Sequence, residues 1–402
     1  MKMRMRHLTS LLVLLIESSL CVTVITGCQE DMQTGNRPRT APLIRGTLWY
    51  IAHDQMRTFW QKKDFSKEIE CQIDIGFDLL WLLNTPTLME EAIAAEAKGK
   101  PRDVLEIIFQ IADENNMRVI VDLPQAGWYG KTASQQMIDL STAHIRRFFE
   151  RYRRHPCFYG WYLNYEINPI SPSEEDESRF WRLVWKAIVA ECHRVAPNTV
   201  VTISAFFLLD RESLRGFKYL EPEAYEQWWS VTLAETEIDI LMLQDSGEHL
   251  GFFTLEQREP FFAAFAKACR QTGTRFWINV ETGEEDVNDW GEYFTNIQRR
   301  QKPWDYWRFT SIEWLEKKLC LAASYAENIV NWGYYPFMTP NPLPSQELPA
   351  KQTAYEAYKA YFHKTANPCA RWAPGLASYD QQKPERQKQP EAEVTYKELE
   401  VK

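Results

Sequence analysis

The feature that most constrains the fold of this chain is a regular alternation, repeated eight times between Gly46 and Phe362, of a short apolar run and a longer segment of helical periodicity. The apolar runs are GTLWYIAHD (Gly46–Asp54), FDLLWLLNT (Phe77–Thr85), RVIVDLP (Arg118–Pro124), FYGWYLNYE (Phe158–Glu166), TVVTISAFF (Thr199–Phe207), IDILMLQDSG (Ile238–Gly247), RFWINVETG (Arg275–Gly283) and NIVNWGYYPF (Asn328–Phe337). They are continuous rather than alternating, which is the pattern of strands covered on both faces, as in parallel sheets. Helical patterns fall between them at Asp64–Gly76, Arg102–Asn115, Ser134–Arg154, Glu177–Val195, Pro222–Ala234, Leu255–Gln271 and Ser311–Ala326, with a last one at Lys351–Phe362. Pro156 and Pro197 close the third and fourth helical segments. The expected fold is a (β/α)8 TIM barrel of the α/β class. A doubly wound open sheet is second choice, because no glycine-rich turn follows the first strand.

Connections entering the strands are short and those leaving them are long: Asn84–Pro101, Leu208–Glu221 and Glu284–Thr310. Length is therefore concentrated at the barrel face where side chains from strand ends meet. Two of the strands end on a glutamate, Glu166 on the fourth and Glu281 on the seventh. Two carboxylates across a shared cleft suit general acid catalysis and nucleophilic attack at a glycosidic carbon. Asp122 ends the third strand, Asp245 the sixth, and His53-Asp54 the first, and any of these could orient a substrate or replace a member of the pair.

Sixteen Trp, 18 Tyr and 21 Phe supply flat apolar surface of the kind that sugar rings stack on, beyond what the core consumes. The formal charge of -9 is opposite in sign to that of a nucleic-acid binder. The densest basic cluster, Arg146–His155, reads as the solvated face of a helix. The chain offers Ala52-His53-Asp54 where a metal-dependent barrel would place two histidines, and neither a nucleophile elbow nor a phosphate-binding glycine loop. No metal and no cofactor are expected. The eight cysteines are widely spaced without a CxxC pair; Cys192, Cys269 and Cys320 lie on apolar helical stretches and read as small buried hydrophobes.

The N-terminus reads as an address. Lys2, Arg4 and Arg6 precede an apolar stretch beginning at Leu11–Ile16, which ends in Ile25-Thr26-Gly27-Cys28. That tetrapeptide resembles a bacterial lipobox, which implies cleavage before Cys28 and its lipidation. Gln29-Glu30-Asp31 resembles the acidic signal that directs such lipoproteins to the outer face of the outer membrane; the periplasmic face is the alternative. Removing the first 27 residues, net +2, leaves the remainder at -11. The expected organisation is a signal peptide over 1–27, a flexible tether over 28–45, a barrel over 46–363 and a polar, disordered tail over 364–402.

Tyr152–Glu166, YRRHPCFYGWYLNYE, resembles the fourth-strand region of clan A glycoside hydrolases, with His155-Pro156, Gly160-Trp161, Asn164 and the acid/base Glu166 in the family's places. Tyr165 separates an Asn and Glu that are adjacent in the family pattern; alternation along a strand puts Asn164 and Glu166 on one face and Tyr165 on the other. Glu281 falls where the clan carries its nucleophile, with Asn279 on the same face, and Trp332 falls where it carries a Trp beneath the sugar. The chain is similar to glycoside-hydrolase-like barrel lipoproteins of gut-type bacteria. The resemblance implies an oligo- or polysaccharide substrate, a retaining route with Glu166 as acid/base and Glu281 as nucleophile, and Asn164, Trp332, Asn279 and Trp161 around the sugar, where the strand-end residues Asp122, Asp245 and His53 are also expected. Glu166 sits among Trp161, Tyr162 and Tyr165, whose burial would keep it protonated, while Asn279 and Thr282 would donate to an ionised Glu281. The alternatives are a non-catalytic surface glycan-binding lipoprotein on the same scaffold and a barrel lyase using the same carboxylates.

Overall fold

A computed structural model describes residues 42–52, 54–167, 174–245, 250–301, 305–341 and 351–365. Cys28, His53, Gly247 and the expected tail from residue 366 lie outside them. Eight parallel strands close into a barrel in the order β1-β10-β7-β6-β5-β4-β3-β2. They are β1 (Gly46–Tyr50), β2 (Leu79–Leu83), β3 (Arg118–Asp122), β4 (Phe158–Leu163), β5 (Val200–Ala205), β6 (Ile240–Gln244), β7 (Arg275–Glu281) and β10 (Asn328–Trp332). Helices α1 (Lys62–Asp74), α3 (Val104–Glu114), α4 (Ser134–Tyr152), α5 (Glu175–Val195), α6 (Pro222–Thr236), α7 (Leu255–Thr272) and α9 (Ile312–Ala323) alternate with them, and α10 (Lys351–Thr365) follows the last strand. This is the (β/α)8 barrel that the sequence leads one to expect. No helix among the described residues is long and apolar enough to cross a membrane.

Two of the long connections carry structure of their own. Asn84–Pro101 holds α2 (Thr85–Ala97), which Pro86 opens near its first helical position. Glu284–Thr310 begins inside β8 (Gly283–Glu285), passes through α8 (Trp290–Arg299), and returns as β9 (Trp307–Phe309), antiparallel to β8. This hairpin stands directly after β7, beside the end that carries Glu281.

The barrel interior is a packed column. Trp81, Ile120, Tyr162, Met242, Trp277 and Val330 fill its middle. Beneath them the guanidinium of Arg118 lies 4.7 Å from the centre of the Tyr159 ring, and Arg275 donates to the Tyr159 hydroxyl at 3.0 Å. Tyr159 enters the column because β4 carries one extra residue there: Val119 pairs with Phe158 but Ile120 pairs with Gly160. Gly160 is required at that point, since a Cβ would stand 2.5 Å from the carbonyl oxygen of Val200.

Strand residues of the other parity face the helices. Trp161 is one of them: its ring packs edge-on against Phe158 and Phe148, and Nε1 donates to Thr199 Oγ1 at 3.0 Å. Its expected place beside the sugar is thus corrected to the strand–helix core. Cys192 and Cys269 are buried as expected, whereas Cys320 is exposed on α9.

Candidate active site

The carboxyl ends of β3 to β7 and β10 open on one mouth. Trp277 lies in the interior column, so by alternation Asn279 and Glu281 stand above it on the same face. Glu281 is 1% exposed. Its neighbour in register on β10 is Trp332, a half-buried ring braced by Trp307 and Phe337. Its neighbour on the other side is the end of β6, where Gln244 pairs with Asn279. Asn279 is buried, and its Oδ1 has no hydrogen-bond partner among the described residues.

Across the mouth, Asn164 and Glu166 follow β4. Gln244 Nε2 reaches Glu166 Oε1 at 3.5 Å and Ser204 Oγ at 3.4 Å, which links the ends of β4, β5 and β6. Asn164 Nδ2 donates to Asp122 Oδ2 at 3.1 Å. Tyr165 is turned the other way: its hydroxyl accepts from the Ala126 amide at 3.1 Å, and its ring packs against Trp128 and Trp181. Asn164 and Glu166 thus both serve the mouth despite the intervening residue. Glu166 is exposed. The expected burial among aromatics is therefore corrected, because Trp161 and Tyr165 face outward and only Tyr162 faces in. Burial pushes the Tyr162 phenol well above its usual value, helped by the charges of Glu166 and Asp122.

Asp122 is buried and saturated by donors. It accepts from the amides of Asn84 and Thr85 at 3.1 and 2.8 Å, from Thr85 Oγ1 at 2.7 Å, and from Asn164. Its position holds the start of α2 to the end of β3 and orients Asn164, in place of the expected contact with a sugar. Burial pushes its carboxyl up from 3.8 to about 6, against the pull of those donors. A raised folded-state value means that the native form holds a proton which the unfolded chain has already released. The stabilisation is full below about 3.8 and lost as pH rises through about 6. Asp122→Asn places an NH2 among these donors and is expected to cost about 1–3 kcal/mol. Urea unfolding should show the advantage of the native protein over the variant shrinking between about pH 4 and about pH 7.

Asp245 also leaves the set of sugar contacts. It is 2% exposed and faces the helix layer, where Oδ1 accepts from the Glu281 amide at 2.9 Å and Oδ2 pairs with Lys318 Nζ at 3.2 Å. Thr282 does not turn toward Glu281 either; its amide and hydroxyl both donate to the Trp332 carbonyl, at 3.0 and 3.4 Å. His155, at the opposite end of β4, lies between Asp113 (2.6 Å) and Glu106 (3.1 Å) and fastens α3 to the strand. Sequence reasoning missed Gln244, Ser204 and Lys318. Gln244 had a signal in its two-residue spacing from Ile240 and Met242, which line the column.

A family model described as "Domain of unknown function (DUF4434)" matches residues 44–343, which include all eight barrel strands. The chain belongs to this family. No curated protein matches the chain. Among solved structures, this DUF4434 barrel is similar to a "putative alpha-L-fucosidase" from Bacteroides thetaiotaomicron VPI-5482, with a TM-score of 0.59 and 18% identity over 81% of this chain and 94% of that one. A β-galactosidase from Marinomonas ef1 gives 0.49 and 11% over 80% of this chain; the DUF4434 chain spans 59% of that enzyme. An endo-1,4-β-mannanase from Rhizomucor miehei gives 0.45 and 11%, over 80% and 95% of the two chains. The fucosidase likeness, at this identity, is one of fold.

Proposed function

We propose that this DUF4434 protein is a glycoside hydrolase that cleaves a glycan by a retaining route, with Glu166 as general acid and base and Glu281 as nucleophile. The reading is carried by one observation: the glutamate that follows β4 and the one that ends β7 stand at the same end of the barrel, the first joined through Gln244 to the strand beside β7 and the second in register with Trp332. In this mechanism Glu281 attacks the anomeric carbon while Glu166 protonates the departing oxygen. Glu166, reached by solvent, then activates the water that releases the sugar. The amide of Asn164, oriented by Asp122, meets a hydroxyl of the ring. Trp332 offers the flat surface beneath it.

The test is hydrolysis of a panel of aryl glycosides and oligosaccharides, with the anomer of the first-formed product read by NMR. Release with retained configuration supports the reading. Retention of glycans on the immobilised protein without release identifies the non-catalytic binding protein instead, a reading that the exposed Glu166 favours.

The address at the N-terminus makes the protein a lipoprotein, held in the outer membrane through Cys28. Cys28→Ala is expected to fold normally and to move from the membrane pellet to the soluble fraction, because it loses the acyl chains that hold the mature end in the bilayer. Fractionation of cells expressing the two forms checks it; a variant still in the pellet contradicts the assignment.

A further inference from the structure

We infer that Asp245 and Lys318 are positioning residues for Glu281, an inference that rests on the proposed role of Glu281 in glycoside cleavage. Strand β6 ends at Gln244, and the last backbone bond it makes to β7 runs from the Asp245 amide to the Asn279 carbonyl at 3.2 Å. Glu281 lies two residues further on, past the end of β6. Two side chains hold its peptide. Asp245 Oδ1 accepts from the Glu281 amide at 2.9 Å, and Lys318 Nζ, arriving from α9, donates to the Glu281 carbonyl at 2.6 Å. The ladder is thereby extended by one residue, and the backbone dihedrals that aim the Glu281 side chain into the mouth are fixed on both sides.

The device is costly, which is the second part of the argument. Lys318 and Asp245 have side-chain exposures of 0% and 2% and pair at 3.2 Å. Lys318 also meets Glu284 at 3.4 Å, which in turn accepts from Trp314 Nε1 at 3.1 Å and lies 3.8 Å from the buried Arg258. Arg258 donates to the Asp245 carbonyl at 3.2 Å, which fixes the peptide at the end of β6. Apolar side chains of the same volume would stabilise such a space as well or better, so four buried charges are weak evidence for stability and point to a geometric task. The cluster closes around the peptide of Glu281.

The paired change Asp245→Leu/Lys318→Met removes one charge of each sign together with both contacts to the Glu281 peptide, and leaves Glu284 with Arg258. On an activated aryl glycoside that the unmodified protein cleaves, it is expected to lower kcat on the order of 10²-fold with KM little changed, as a displacement of about 1 Å in a reacting group does. The deciding measurement repeats the pair in a Glu281→Ala background with azide as the external nucleophile. Azide finds its own position, so the pair should then cost at most about twofold. Equal losses in both backgrounds, or a lowered melting temperature with kcat intact, overturn the positioning role and leave the role of Glu281 standing. No hydrolysis by the unmodified protein and no azide rescue overturn the functional reading itself, and this inference with it.

Discussion

Glu281→Ala is expected to lower the turnover of an activated aryl glycoside by at least about 10⁴-fold, the order of effect seen when a covalent nucleophile is deleted. Adding azide should restore a substantial part of it. The anion enters the space of the missing carboxylate, forms a carbon–nitrogen bond at the anomeric centre as the carbon–oxygen bond to the aryloxide breaks, and yields a glycosyl azide of inverted configuration. Alanine is preferred to glycine because it keeps the strand backbone stiff. The β7 backbone is held independently of the carboxylate by its pairing with β6 and β10, so a folded variant is expected. NMR of the azide product decides the matter: rescue with retained configuration, or none at all beside an active unmodified protein, moves the nucleophile away from Glu281.

For Glu166 the expected signature is a division by leaving group. Glu166→Gln should slow substrates whose aglycone must be protonated by about 10²- to 10⁴-fold, which is the usual worth of a general acid. A nitrophenolate-type leaving group departs without a proton, so the first step on such substrates should be far less affected. The second step still needs a base to activate water, and a burst of aryloxide followed by slow turnover is therefore expected. Stopped-flow measurement across a series of leaving groups gives the dependence directly. A loss that is uniform across the series assigns Glu166 a structural part at the end of β4.

Most of the barrel was legible because its strands are apolar on both faces and its helices are amphipathic, two periods that differ along the same chain. The same doubly apolar strands conceal which parity faces the axis. In ILMLQD, Asp245 looks the more chemical residue, yet it is Gln244 that shares a face with Ile240 and Met242 in the column. Trp161 was misplaced for the same reason, since a Trp is equally at home against the column or against a helix. The burial of the two glutamates could not be read either. It depends on how far each connection folds over the mouth: β8 and β9 form a hairpin beside Glu281, whereas Glu166 is exposed. Helix α2 was hidden by Pro86, which in mid-segment breaks a helix but at its first turn opens one. Lys318 gave no sign at all: a lysine on an amphipathic helix is ordinarily at the surface, and only the fold shows that its residue is 1% exposed.

The bracing of Tyr159 by Arg118 and Arg275, with the Trp81, Tyr162 and Trp277 column above it, makes the barrel a cup and not a tube. On the proposed function, anything that reaches Glu281 enters and departs through one doorway, so product must clear the mouth before the next substrate can take its place. Traffic at the rim then competes with bond breaking for control of the overall rate. The connections that frame that doorway, including the β8–β9 hairpin and the segment bearing Trp128, become the parts on which throughput turns.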